Sequence, residues 1–144
     1  LPLSMEYLGR MKTRGRKKDR IHHWCKRRIL ELVRGMGMRY GIRVFQVNPK
    51  NTSALAFDGS GYVTRDEDNF SLCTFATGKR YDCDLGASYN IAARYFIRAY
   101  FKSMPATAWS QCVAEVPALA RRTGCTLSTL WQLDRVICQL KNAA

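Results

Sequence analysis

Between Phe70 and Arg98 the chain runs through a loop that ends in two aspartates, Asp82 and Asp84. It passes directly into a helix of small and aromatic residues, Leu85-Gly86-Ala87-Ser88-Tyr89-Asn90-Ile91-Ala92-Ala93-Arg94. An acid at such a junction satisfies the free amide donors of the first helical turn and lies in the positive end of the helix dipole. Its carboxylate is held ionised and fixed, which suits a metal ligand. Either aspartate also serves as an ordinary N-cap, so capping and ligation are both open at this point. A second carboxylate, Glu6, sits among apolar neighbours in Leu1-Pro2-Leu3-Ser4-Met5-Glu6-Tyr7-Leu8. There it must be paired, protonated or bound to a cation. Two hard carboxylates at the ends of neighbouring elements suit Mg²⁺ or Mn²⁺. Two-metal hydrolysis of a phosphodiester needs ions about 3.5 to 4 Å apart bridged by such acids.

Other residues invite chemistry less. His22 and His23 have no Cys or His at zinc-like spacing, which favours solvent or phosphate contact. Trp24, Tyr40 and Phe45 are able to stack on bases, but their periodicity places them in a core. Asp58-Gly59-Ser60-Gly61 lacks the strand and helix that flank a nucleotide-binding loop, and reads as a turn. The six cysteines are scattered without close pairing and are expected as free thiols, with Cys25 and Cys138 buried on apolar helical stripes.

The elements that position the acids follow from pattern. Residues Gly9 to Arg28 hold ten of the 24 basic residues and one acid, Asp19, forming a basic arm suited to phosphate contact. From Ile21 to Tyr40 the positions Cys25, Ile29, Leu32, Val33, Met36 and Tyr40 recur at three and four, predicting a helix with one buried face. Lys26, Arg27, Arg34 and Arg39 are left for water, and Gly41 is placed to cap the C-terminus. Ile42 to Val47 reads as a strand closed by Asn48-Pro49. Strand, helix and strand predict a right-handed crossover that pairs the Glu6 strand with the Val44 strand in parallel. Gly61–Thr64 and Phe70–Phe75 predict a hairpin-like insert. Leu85 to Lys102 reads as a helix with Ala87, Ile91, Tyr95, Arg98 and Ala99 on one face. Two more helices are expected, Ala108 to Arg121 with a kink at Pro117 and Leu127 to Lys141.

The 144 residues amount to about one domain. A net charge of +13 points to a polyanionic partner, nucleic acid before membrane. No apolar run is long enough to span a bilayer, and a cytoplasmic protein is expected. The chain opens on Leu1 and reads as a piece of a longer protein.

Several of these features together resemble the C-terminal half of the TnpB (OrfB) proteins of bacterial insertion sequences, relatives of the type V CRISPR effectors. They are Ser4-Met5-Glu6-Tyr7-Leu8-Gly9, the basic arm and helix, Gly41-Ile42-Arg43-Val44, Asn48-Pro49 with Asn51-Thr52-Ser53, and Asp84-Leu85 followed by Ala87 to Arg94. The resemblance spans Glu6 to about Leu133.

It implies an α/β chain with a partial RNase H-like (RuvC) fold, a small hairpin insert and C-terminal helices. The implied parts are residues 1–50 with the catalytic Glu, 51–82 as a degenerate zinc-ribbon-like insert for nucleic-acid loading, and 83–144 with the catalytic Asp. The implied activity is RNA-guided DNA cleavage with Mg²⁺ or Mn²⁺, in a bacterial cytoplasm and on the nucleoid when bound to DNA. Glu6 and Asp84 would be catalytic metal ligands, with Asp82 the alternative to Asp84. Arg10, Lys12, Arg14, Arg16, Lys17, Lys18, Arg20, Lys26, Arg27 and Arg94 would contact nucleic acid. The ribbon's cysteine pairs are replaced around Ala56, Phe57 and Gly59 and reduced to Cys73 in the second position, so packing rather than zinc is expected to order the insert. The family's first catalytic Asp lies upstream of the Glu strand, outside this chain. The expected partners are therefore guide RNA, target DNA, and the N-terminal remainder or a complementing chain. A nuclease-inactive, RNA-guided DNA-binding module is the competing reading.

Overall fold

The computed structural model describes residues 2–6 and 26–142, with side chains from Arg28 onward. The protein is mixed α/β and divides into two units, Leu1–Val47 and Asn48–Ala144.

In the first unit, strand β1 (Pro2–Glu6) pairs in parallel with β2 (Arg43–Val47), in a register that sets Pro2 against Arg43 and Glu6 against Val47. The intervening chain carries helix α1 (Lys26–Arg39), so the parallel pair expected from the sequence is present. Residues 21–25 of the expected helix, with Cys25, His22, His23 and Trp24, lie outside the described residues. The helix ends in a Schellman motif. Ile42 N–H donates to the Gly37 carbonyl at 2.7 Å, and Gly41 N–H donates to that of Met38 at 3.3 Å. Gly41 has φ +65°. A β-carbon penalises that conformation. Gly37 is there for a different reason. A β-carbon on it would stand 2.7 Å from the Ile42 carbonyl oxygen and 3.1 Å from Val44 Cγ2, so its absence lets α1 settle on β2.

The apolar face of α1 departs from expectation. Ile29, Leu32, Met36 and Tyr40 are all exposed, Tyr40 at 74%, although the periodicity predicts burial. Neighbouring strands lie only about 4.8 Å apart. A pair of them is too narrow to cover a helix of 14 residues.

The second unit opens with an antiparallel sheet in the order β3 (Thr64–Arg65), β4 (Leu72–Thr74), β5 (Arg80–Asp82). The predicted segment Phe70–Phe75 contains β4, Gly61–Thr64 reaches β3 only at Thr64 and otherwise gives an isolated antiparallel bridge from Tyr62 to Leu55, and β5 corrects an expected loop. The β3–β4 turn is organised by Asp66, whose Oδ1 accepts from the backbone of Asp68 and Asn69 and whose Oδ2 pairs with Arg80 at 2.6 Å. Ala56, Phe57, Cys73, Phe75 and Cys83 form a small core beneath this sheet, with Tyr81 and Tyr89 packed against it. The Phe57 ring meets Phe75, Tyr81 and Tyr89 edge-on at 4.9 to 5.2 Å. That is a favoured geometry for aromatic quadrupoles. Lys79 Nζ lies 4.9 Å from the Tyr81 ring centre, within range of a cation–π contact.

Helix α2 (Cys83–Ser103) begins directly after β5, and α3 (Ala106–Glu115) and α4 (Leu127–Asn142) follow. Pro117 does not kink a long helix as expected. The helix has already ended at Glu115, and Pro117 heads a 3₁₀ turn (Pro117–Ala120). At that position its missing N–H costs nothing. A second short turn covers Arg122–Gly124. The helices bury Ile97, Cys112, Val116, Leu119, Cys125, Leu133 and Ile137 together. Cys138 is exposed, correcting its expected burial, because it lies one residue beyond Ile137 and turns off that stripe. Among the described residues no helix is long and apolar enough to cross a membrane.

Candidate functional site

The two aspartates at the start of α2 have different occupations. Asp82 is the N-cap, and its Oδ1 accepts from Asp84 N–H at 2.9 Å and from Leu85 N–H at 2.8 Å. Its carboxylate is consumed in satisfying two of the helix's free donors. Asp84, two residues on, is exposed, and its carboxylate makes no hydrogen bond or ion pair among the described residues. It sits in the first turn of the helix, beside the free amide donors of the N-terminus. The geometry thus gives capping to Asp82 and leaves Asp84 as an accessible hard-oxygen donor.

Glu6 is the last residue of β1. Ligand sites of parallel α/β sheets gather at the carboxyl ends of strands, which is where Glu6 stands. Its side chain is outside the described part, as are Arg10, Lys12, Arg14, Arg16, Lys17, Lys18 and Arg20 entirely. Lys26 and Arg27 open α1, and their side chains are likewise not described.

Arg94 is not at a phosphate-facing surface. It is buried, and its guanidinium donates from Nη1 to the carbonyls of Asn48 at 2.6 Å and Lys50 at 2.7 Å, from Nη2 to Thr123 at 2.9 Å, and from Nε to Cys125 at 3.2 Å. A planar fork with five donors matches such a ring of carbonyls, and these bonds occupy the donors a phosphate would need. The expected phosphate contact is corrected to a structural clamp.

Asn90, one helical turn earlier, does the same work with an amide. Its Nδ2 donates to the carbonyls of Thr52 and Leu55, both at 2.9 Å, and its Oδ1 accepts from Leu127 N–H at 3.2 Å. Thr52 is itself buried, its hydroxyl donating to the Pro49 carbonyl at 2.9 Å. The Asn48 to Leu55 segment, α2 and the start of α4 are therefore tied through two side chains. The buried face of α2 is Cys83, Gly86, Ala87, Asn90, Ala93, Arg94 and Ile97, and the predicted face, with exposed Arg98 and Ala99, is rotated from it. Polar Asn90 and Arg94 disguised the true stripe. The signal that could have revealed it is the spacing of Gly86, Asn90, Ala93 and Arg94 at three and four along the helix.

Burial pushes the Cys73 thiol up to about 11, with the neighbouring Cys83 thiol adding to the effect. Cys73 therefore stays protonated and inert at neutral pH. Among the described residues no three His, Cys, Asp or Glu side chains come together as a metal site. Asp84 fits a hard cation by chemistry and access, and would supply one ligand of a larger set.

Comparison with known proteins found no match: no family model, no curated protein and no solved structure is similar to the chain.

Proposed function

We propose that this chain is the C-terminal part of an RNA-guided DNA endonuclease of the TnpB type, with an RNase H-like (RuvC) fold. It hydrolyses phosphodiester bonds by a two-metal mechanism. The observation that carries the reading is the division of labour at α2, where Asp82 takes the cap and Asp84 is left exposed at the helix's positive end. This is the aspartate that the resemblance assigns as catalytic. The buried clamp adds support, because Asn90 joins the two most family-like segments, Asn51 to Ser53 and Asp84 to Arg94, by donating to the Thr52 carbonyl, and Arg94 donates to the Asn48 carbonyl just ahead of them.

In this reading Asp84 and Glu6 hold divalent ions, with a further Asp from outside the chain. Bound Mg²⁺ or Mn²⁺ would activate a water and stabilise the leaving oxygen. The chain's own contribution is position. Asp82 fixes the first turn of α2, and the clamp fixes the helix, so the Asp84 carboxylate need not reorganise when substrate arrives. The basic arm supplies phosphate contacts, and the insert loads the nucleic acid. The exposed apolar face of α1 is where the remainder of the protein or a complementing chain would pack.

Purification of the complete protein from its native source tests this reading. A particle holding RNA, together with Mg²⁺-dependent cleavage of matched DNA, is the expected result. A particle without RNA, or one that binds guide and target but never cleaves with any divalent ion, overturns it. The latter result favours the nuclease-inactive binding module.

A further inference from the structure

Apart from Glu115, no acid occurs between Asp84 and Asp134, a stretch that contains Arg98, Lys102, Arg121 and Arg122 in addition to the buried Arg94. The fold brings Arg122 to the exposed ring of Phe101, on the helix that also carries Arg98 and Lys102. Arg98, Phe101 and Lys102 share an exposed face of α2, at the spacings of three and four that make helix residues neighbours. The Arg122 guanidinium, from the second 3₁₀ turn, lies 5.8 Å from the Phe101 ring centre, with Arg121 beside it in sequence. That distance is within the range of a cation–π contact. Phe101 is 44% exposed, and its edge contact with Trp109 at 5.1 Å holds it in place. All four cations are exposed, and none forms an ion pair among the described residues.

Like charges converging without a counter-charge are unfavourable unless an anion joins them. The spacing along a helix, with an aromatic ring at the centre, matches how single strands are held: cations track the phosphates while a ring packs against a base or sugar. We propose that the Arg98, Phe101, Lys102, Arg121 and Arg122 face binds the backbone of a single nucleic-acid strand. This contact is additional to the basic arm and does not depend on cleavage by the acids.

The test is fluorescence anisotropy of labelled single-stranded DNA and RNA of one sequence, about 12 nucleotides long, titrated with the complete protein at several salt concentrations. Lys102→Gln with Arg122→Gln is compared with Arg135→Gln and Lys141→Gln, which remove the same charge from exposed positions of α4. The first pair should weaken binding about tenfold and lower the salt slope by roughly 1.4, the value for two lost phosphate contacts on a single strand. The control pair should change either quantity far less. Equal effects from both pairs would reduce the patch to net charge and overturn the proposal, as would an unchanged slope in the first pair. The DNA and RNA arms report which strand is held. Loss of cleavage in Asp84→Asn with binding intact separates this surface from the nuclease reading, and each can fail without the other.

Discussion

Arg94 carries a guanidinium into the interior of the second unit, where the carbonyls of Asn48, Lys50, Thr123 and Cys125 surround it. Hydrogen bonds to a charged group are each worth about 1.5 to 3 kcal/mol, and a carbonyl left unpaired in the interior costs about 1 to 3 kcal/mol. Arg94→Lys keeps the charge but loses the fork. It should destabilise by about 3 kcal/mol, lowering the melting temperature on the order of 15 °C for a unit of this size. An unchanged melting curve would contradict the clamp. The sequence shows Arg94 as one more cation in a protein of net charge +13. What it does not display is the tertiary ring of carbonyls, since Asn48, Lys50, Thr123 and Cys125 come from distant loops. Asp82 and Asp84 illustrate the same limit. That either aspartate is placed to cap the helix is legible, but which one does so depends on the start of α2 at Cys83 rather than Leu85.

Elements whose signals are local were readable in advance. Gly41 sets the end of α1, and the branched and aromatic run of Arg43 to Val47 sets β2. Strand β5 was not readable, because Arg80-Tyr81-Asp82 has one inward residue and is held by pairing with β4 rather than by its own pattern. The turn joining β3 to β4 carries an acid-sensitive element. Backbone N–H groups of Asn69 and Asp68, then the Arg80 charge, hold the Asp66 carboxyl below its ordinary value of 3.8. Such hydrogen bonds and a nearby cation favour the ionised form. A depressed folded value means its contribution is complete above about pH 3.8 and disappears as pH falls through the lower folded value. Carboxyl NMR titration should place the Asp66 midpoint below 3.8, with the Asp68 and Asn69 amides shifting along the same curve. Asp66→Asn should abolish that shared step, and a midpoint at or above 3.8 would contradict the turn geometry.

At the scale of the whole molecule, charge and structure are unevenly shared. Of the 24 basic residues, 13 fall in Leu1–Val47 against three acids, while Asn48–Ala144 has 11 against eight. The first unit concentrates positive charge and leaves an apolar helix face open. The second has two buried cores and presents Asp84. In the proposed reading one part gathers phosphate and another positions a carboxylate, and the net charge of +13 is the compositional ground for expecting a polyanionic partner. The measurement that bears most directly on the account is DNA cleavage by the complete, RNA-loaded protein in Mg²⁺, comparing Asp84→Asn with Asp82→Asn. Asparagine caps helices about as well as aspartate, so Asp82→Asn should retain cleavage. Asp84→Asn should abolish cleavage while guide and target binding persist. Cleavage that survives Asp84→Asn, or that is lost only with Asp82→Asn, would contradict the assignment of the catalytic acid.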